Sequence, residues 1–123
     1  MPVTRTRLTF GQRGEKAAEH FLTKKGYKLV ERNYRCPLGE IDLIALDGRV
    51  IVFVEVKTRS GEGFGTPSEA VVPWKQKKMI KAATFFLSEK HLHHRAARFD
   101  VVGVSWLGRE PVIEHIENAF ELS

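Results

Sequence analysis

Two periodicities alternate along the chain. Across residues 11–25 the apolar side chains Ala17, Ala18, Phe21 and Leu22 fall on one stripe, with Lys16, Glu19, His20 and Thr23 largely outside it. That spacing predicts an amphipathic helix laid on a core. Gly26 stands where a glycine stops a helix, and Lys24 and Lys25 in the last turn suit its dipole. The period then shortens to that of strands, predicted over 27–34, 39–46 (GEIDLIAL) and 49–58 (RVIVFVEVKT). The run Val50-Ile51-Val52-Phe53-Val54 is apolar on both faces, which marks a central strand covered above and below.

Residues 60–68 (SGEGFGTPS) read as a loop. Pro73 opens a second helix reaching to about residue 90, with the stripe Met79, Ile80, Ala83, Phe86 and Leu87. Two further strands are predicted over 98–106 and 112–118, parted by Leu107-Gly108-Arg109-Glu110-Pro111. Residues 1–10 show no period and are expected as a flexible arm before one domain at 11–123. The order helix, three strands, helix, two strands is that of an α/β sandwich.

Asp47-Gly48 is a two-residue hairpin signal, and it lets side chains be placed by parity. With those residues as the loop, Leu46 pairs with Arg49, Asp42 faces Phe53 and Glu40 faces Glu55. Glu40, Asp42, Glu55 and Lys57 then share one side of the sheet, and Ile41, Leu43, Val54 and Val56 the other. A three-residue turn would break this parity and put Asp42 on the side away from Glu55. Diagonal neighbours in such a ladder lie ~7–8 Å apart, close enough for Asp42 and Glu55 to converge on one cation. Lys57 follows Glu55 by ~6.6–7 Å along the strand. Unpaired carboxylates on a partly apolar face need compensation, which a bound Mg²⁺ or Mn²⁺ can give. The metal would polarise a phosphate and activate a water, and Lys57 would orient that water or stabilise developing charge. Mutual neutralisation of Glu55 and Lys57 at a strand end explains the same residues, so the hairpin alone leaves both readings open.

Composition narrows the class. A chain of 123 residues, 42% hydrophobic and 28% charged, makes one globular domain with a real core. Twenty Lys and Arg against fifteen Asp and Glu leave a net charge of +5, a mild push toward polyanions. The single cysteine, Cys36, excludes an internal disulfide framework and a thiolate-built zinc site, and suggests a reducing, cytoplasmic setting. No apolar run reaches the ~18–20 residues of a membrane span, and no apolar stretch follows the basic N-terminus as in a secretory signal. No membrane association is expected.

The blocks Gly39-Glu40-Ile41-Asp42-Leu43-Ile44-Ala45 and Val52-Phe53-Val54-Glu55-Val56-Lys57-Thr58-Arg59 resemble the D…ExK core of the PD-(D/E)xK nuclease superfamily. The chain is similar, more closely, to the YraN-type family of small bacterial proteins related to archaeal Holliday-junction resolvases. That resemblance runs from Gly11 to Phe120 and includes Arg13-Gly14-Glu15, Asn33-Tyr34-Arg35, Phe64-Gly65-Thr66-Pro67 and Arg98-Phe99-Asp100-Val101-Val102. It implies a restriction-endonuclease-like three-layer sandwich, a central mixed sheet flanked by helices. It further implies that Asp42 and Glu55 bind metal and that Lys57 is catalytic. Glu15 matches the acidic residue of the first helix that reaches the same centre. The superfamily's proline before the first aspartate is replaced by Ile41.

The expectation that follows is a Mg²⁺- or Mn²⁺-dependent endonuclease acting on DNA, including branched or structured forms. Its rival is a nucleic-acid-binding module or adaptor with the same fold and little cleavage. Resolvase-like relatives are dimers, so the resemblance admits a homodimer that no single residue here specifies. Arg59, Lys75, Gln76 and Lys78 are candidate nucleic-acid contacts, with Arg5 and Arg7 beside them, although a solvated helix face explains the helical ones equally well. Loop 60–68 has the glycine content to approach a nucleic-acid backbone. Glu40 is expected to pair with Arg35 or Arg59, and Asp100 to form a structural salt bridge. Trp74 and Trp106 are expected in core or edge packing, and His91, His93 and His94 as a surface cluster.

Overall fold

The computed structural model describes residues 7–60 and 71–121; the arm residues 1–6 and most of loop 60–68 lie outside that set. Helix α1 (Phe10–Lys24) begins one residue before the apolar stripe suggests. The cause is a reciprocal cap: the Thr9 hydroxyl accepts from the Gln12 amide at 3.1 Å, and the Gln12 side chain accepts from the Thr9 amide at 2.9 Å. The helix ends as Gly26 suggests. Its φ of +103° turns the chain so that the amides of Gly26 and Tyr27 donate back to Thr23 and Leu22.

Five strands follow the order β1-β2-β3-β4-β5 in one sheet: β1 (Lys28–Cys36), β2 (Gly39–Asp47), β3 (Val50–Thr58), β4 (Ala97–Leu107) and β5 (Glu110–Phe120). Helix α2 (Pro73–Glu89) lies between β3 and β4 in the chain. All neighbours run antiparallel except β3 and β4, which are parallel, so the sheet is mixed. One helix covers each face. Against α1 pack Leu43, Ala45, Val52, Val54, Val102 and Val104; against α2 pack Ile44, Ile51, Phe53, Phe99 and Val101. This is the three-layer α/β sandwich that both the periodicity and the resemblance imply. Strand β3 is central and buried from Ile51 to Glu55, as its double-sided apolar run requires. Each large apolar side chain hidden there contributes about 1.5–3 kcal/mol.

Two details of the β2–β3 hairpin differ from expectation. The loop is Gly48-Arg49 rather than Asp47-Gly48, and Asp47 pairs with Val50. Gly48 at φ +60° supplies the positive φ that primed turns need at their first central residue. The register moves by two, so parity survives: Ile44 rather than Asp42 stands across from Phe53, and the residue across from Glu55 is Asp42 rather than Glu40.

The second difference is on β2. Ile41 packs with Ile44 and Phe53 on the α2 face, whereas Leu43 is on the α1 face, although the two share parity. Their partners behave alike, since Tyr34 (paired with Ile41) joins the α2 face and Arg32 (paired with Leu43) forms an ion pair with Glu19 of α1. Between these pairs lie Asn33, at φ +48°, and Asp42. A left-handed residue inside a strand turns the pleat over, and Asn tolerates that conformation better than other non-glycine residues.

Candidate active site

The twist at Asn33 and Asp42 places the candidate site. The β2–β3 ladder has its last pair at Leu43 and Val54, and just beyond it the Asp42 and Glu55 side chains meet in a hydrogen bond. With the ladder ended, the Val56 amide donates to Asp42 Oδ2 at 2.8 Å instead of to a β2 carbonyl. The bond orients the Asp42 carboxyl and satisfies a donor that the separating strands would orphan. Glu55 is 3% exposed. Burial, then hydrogen bonding and repulsion from Glu55, push Asp42 up to about 8, while the Val56 amide pulls the other way. Two carboxyls therefore share a confined site that resists holding two negative charges.

Two lysines answer them. Lys57 Nζ lies 3.8 Å from Glu55 Oε2, and Lys75 Nζ, from the first turn of α2, lies closer at 2.6 Å. Glu55 Oε2 nevertheless accepts no well-aligned hydrogen bond although it is buried. The short Lys75 contact is thus an ion pair with poor directionality. Burial alone would lower Lys75, but Glu55 outweighs it and the net shift is upward.

Glu15 reaches the neighbourhood from α1 because Gly14 lies flush on β3: a Cβ there would sit 2.8 Å from the Thr58 Cβ. Its carboxyl is half-buried and hydrogen-bonded to Asn33. Burial first, then Glu40 and Glu55, raise it against that bond, so it senses the same negative field. Among the described residues no three His, Cys, Asp or Glu side chains gather as a metal-ligand group. The pair Asp42 and Glu55 is what fits a hard divalent cation, on the evidence of two crowded carboxyls, one of them buried. Two carboxylates suit Mg²⁺, which keeps several waters and takes further ligands from a substrate phosphate.

The other expected residues divide. Lys75, expected as a nucleic-acid contact, belongs to the site, because the start of α2 is set over the end of β3. Gln76 donates to the Val71 carbonyl at 2.9 Å and so secures the chain entering α2. Lys78 is exposed, and the Arg59 amide donates to Val104 at 2.8 Å. Glu40 pairs with Arg35 at 3.4 Å, and His91, His93 and His94 are exposed. Trp106 packs against Phe10 and under Arg13, but Trp74 is not in the core: it is 63% exposed.

Asp100 forms the expected salt bridge within a larger network. Arg98 donates to Asp100 and Asp47 at 3.0 Å each, and His115 Nε2 lies 2.7 Å from Asp100. The Asn118 amide also donates to Asp100 at 3.0 Å, across a bulge between β4 and β5. Sequence reasoning missed two site residues, Lys75 in its close role and Asn33. Asparagine inside a strand-period run is a signal for the second.

Comparison with known proteins agrees with the resemblance. Residues 14–104 match the family described as "Uncharacterised protein family UPF0102". A UPF0102 protein of Geobacter metallireducens is 47% identical over 115 residues, covering 94% of each chain. One from Moorella thermoacetica is 48% identical over 115 residues, covering 94% of this chain and 95% of its own. One from Syntrophotalea carbinolica is 42% identical over 120 residues, covering 98% of each. The chain belongs to the UPF0102 family, the YraN-type family that its GEIDLIA and VFVEVKTR blocks resemble.

Proposed function

We propose that this protein is a Mg²⁺- or Mn²⁺-dependent endonuclease that hydrolyses phosphodiester bonds in DNA, including branched or structured forms. The observation that carries the reading is the opposed pair Asp42 and Glu55 at the open end of a ladder, flanked by Lys57 and Lys75. A fold optimised for stability alone gains little from a buried carboxyl crowded by a half-buried one. Asp42 and Glu55 would hold the cation, with Glu15 as a further acid nearby. The bound metal would supply Lewis acidity toward the phosphate and a lowered pKa for water.

The residues of this chain then divide the remaining work. Asp42, fixed by the Val56 amide, presents one oxygen in a constant direction. Lys57, 27% exposed in its side chain, has access to a substrate and would orient the attacking water or stabilise charge on phosphorus. Lys75 neutralises Glu55 before the cation arrives and is free to move to a phosphate afterwards. The net charge of +5 favours the approach of a polyanion.

The second reading, a binding module with little cleavage, draws on the Lys75–Glu55 ion pair and on the lack of a third ligand beside Asp42 and Glu55 among the described residues. One experiment separates the two. Labelled linear, single-stranded, flapped and four-way-junction DNAs are incubated with Mg²⁺, Mn²⁺ or chelator, using wild type, Asp42→Ala and Glu55→Ala. Metal-dependent cuts absent from both variants support the nuclease. Metal-indifferent binding with no cuts, unchanged in the variants, supports the binding module.

A further inference from the structure

A groove of about 480 Å³ runs beside the candidate site, between the β1–β2 turn and the start of α2. We infer that this groove is a stacking site for one unpaired nucleotide, with Trp74 as the platform. The inference rests on the nuclease reading and deepens it: the substrate has a single-stranded segment next to the bond that is cut.

The indole of Trp74 is 63% exposed at the rim, and Leu38 on the β1–β2 turn is 47% exposed. Single exposed apolar residues are ordinary, but two at the mouth of one concavity, framed by charge, are a recognition feature. Glycine sets how closely the two walls of the groove meet at its floor. At Gly39 a Cβ would stand 3.1 Å from the Lys78 carbonyl, so the turn and the helix approach each other where no side chain intervenes.

Charge decides the occupant. Arg35, Lys75 and Lys78 line the groove against the single carboxylate of Glu40, and that carboxylate is taken up by Arg35. Lys78 Nζ lies over the Trp74 ring, 5.9 Å from its centre, so one face of the indole looks toward the ammonium and the other is left for a base. An indole with an ammonium over one face matches a base stacked on the other with its phosphate on Lys78, whereas an apolar peptide would leave Lys78 unanswered, Arg35 and Lys75 being paired with Glu40 and Glu55. Away from its ends a duplex keeps both faces of each base covered by its neighbours, so within a strand only an unpaired base can lie on the indole. Lys75 lines the groove and also contacts Glu55, so a nucleotide held there is contiguous with the strand at Asp42 and Glu55.

The test uses the full chain in chelator, where binding is read without cleavage. Short labelled oligonucleotides, single-stranded DNA, single-stranded RNA and blunt duplex DNA, are titrated by anisotropy and by quenching of tryptophan emission. Single strands should bind more tightly than duplex and quench Trp74 emission. Trp74→Ala should weaken single-strand binding by roughly tenfold, the factor carried by one lost base stack, and Trp74→Phe should restore most of it. The exposure of Trp74 makes both variants compatible with folding. Equal single-strand binding by Trp74→Ala and wild type, or equal quenching by duplex, would overturn the inference. Parallel incubation in Mg²⁺ separates the two readings. Trp74-dependent binding without any cut sinks the nuclease and leaves the platform; cuts with binding indifferent to Trp74 sink the platform and leave the nuclease.

Discussion

Lys75 Nζ lies 2.6 Å from Glu55 Oε2, closer than the 3.8 Å of Lys57, the lysine two residues along the same strand. The residue nearest in sequence is therefore not the one that neutralises Glu55. In the absence of a cation Lys75 provides the closer positive charge, which leaves Lys57 available for chemistry.

Lys75→Ala should accordingly destabilise the metal-free protein more than Lys57→Ala does. Breaking a fully buried pair costs about 3–5 kcal/mol. Lys75 is 37% exposed in its side chain and Lys57 remains, so a loss of about 1–2 kcal/mol is expected after solvent screening. Denaturant unfolding with and without Mg²⁺ measures it, and saturating Mg²⁺ should recover most of the loss. Lys57→Ala should leave stability within about 0.5 kcal/mol of wild type while lowering cleavage by about 100-fold or more.

Asp42 ties stability to pH. Its carboxyl is raised from 3.8 to about 8 by burial and by Glu55, so between those values the folded chain holds a proton that the unfolded chain has released. Stability from this group is greatest at low pH and falls as pH rises toward 8. Asp42→Asn should remove that fall and make the metal-free protein more stable than wild type at pH 8, by about 1–3 kcal/mol. Thermal unfolding across pH in chelator reads the effect. A variant less stable than wild type at pH 8 would show that Asp42 is a structural residue.

Asp100 has the opposite sign. Burial would raise it, but His115, Arg98 and the Asn118 amide hold it below 3.8. Its contribution is complete above the ordinary value and is lost as pH falls through the lowered one. Asp100→Ala should cost about 3–5 kcal/mol at neutral pH, because it strands the Arg98 guanidinium in its network. The acid unfolding limb should shift to higher pH. Metal affinity, read at a temperature where the variant is folded, should be unchanged.

Gly14 sets how closely α1 approaches β3. Gly14→Ala meets Thr58 and should destabilise by about 1–3 kcal/mol while displacing Glu15. Thr58→Ala in the same chain removes the hydroxyl and methyl that the new Cβ meets, and should recover part of the loss. A double-mutant cycle by denaturant unfolding gives the coupling; simple additivity would place the damage elsewhere.

Much of this architecture was legible in residue pattern. The double-sided apolar run of β3, the α1 stripe and Gly26 each obey a local rule, and local rules survive folding. Parity also carried Asp42 and Glu55 to neighbouring positions despite a register error of two, because an even slip leaves faces unchanged. What pattern could not reveal depends on distance in space. The flip of Ile41 follows from a left-handed Asn33 on the neighbouring strand. The Lys75 contact follows from how α2 returns over the end of β3, and no spacing within α2 encodes that return. Trp74 lies outside the core, since a helix stripe does not say which residues of the first turn are covered. Thr9 was legible and overlooked: Thr-Phe-Gly-Gln is a capping box.

The most direct test of the central claim, that Asp42 and Glu55 form a divalent cation site, is a calorimetric titration of Mn²⁺ into the full chain near pH 8. Wild type should bind Mn²⁺, Asp42→Asn and Glu55→Gln should each weaken binding by about tenfold or more, and Lys75→Ala should tighten it by removing a competing charge. Equal Mn²⁺ affinity in wild type, Asp42→Asn and Glu55→Gln would contradict the claim and leave these carboxyls as a structural pair held by lysines.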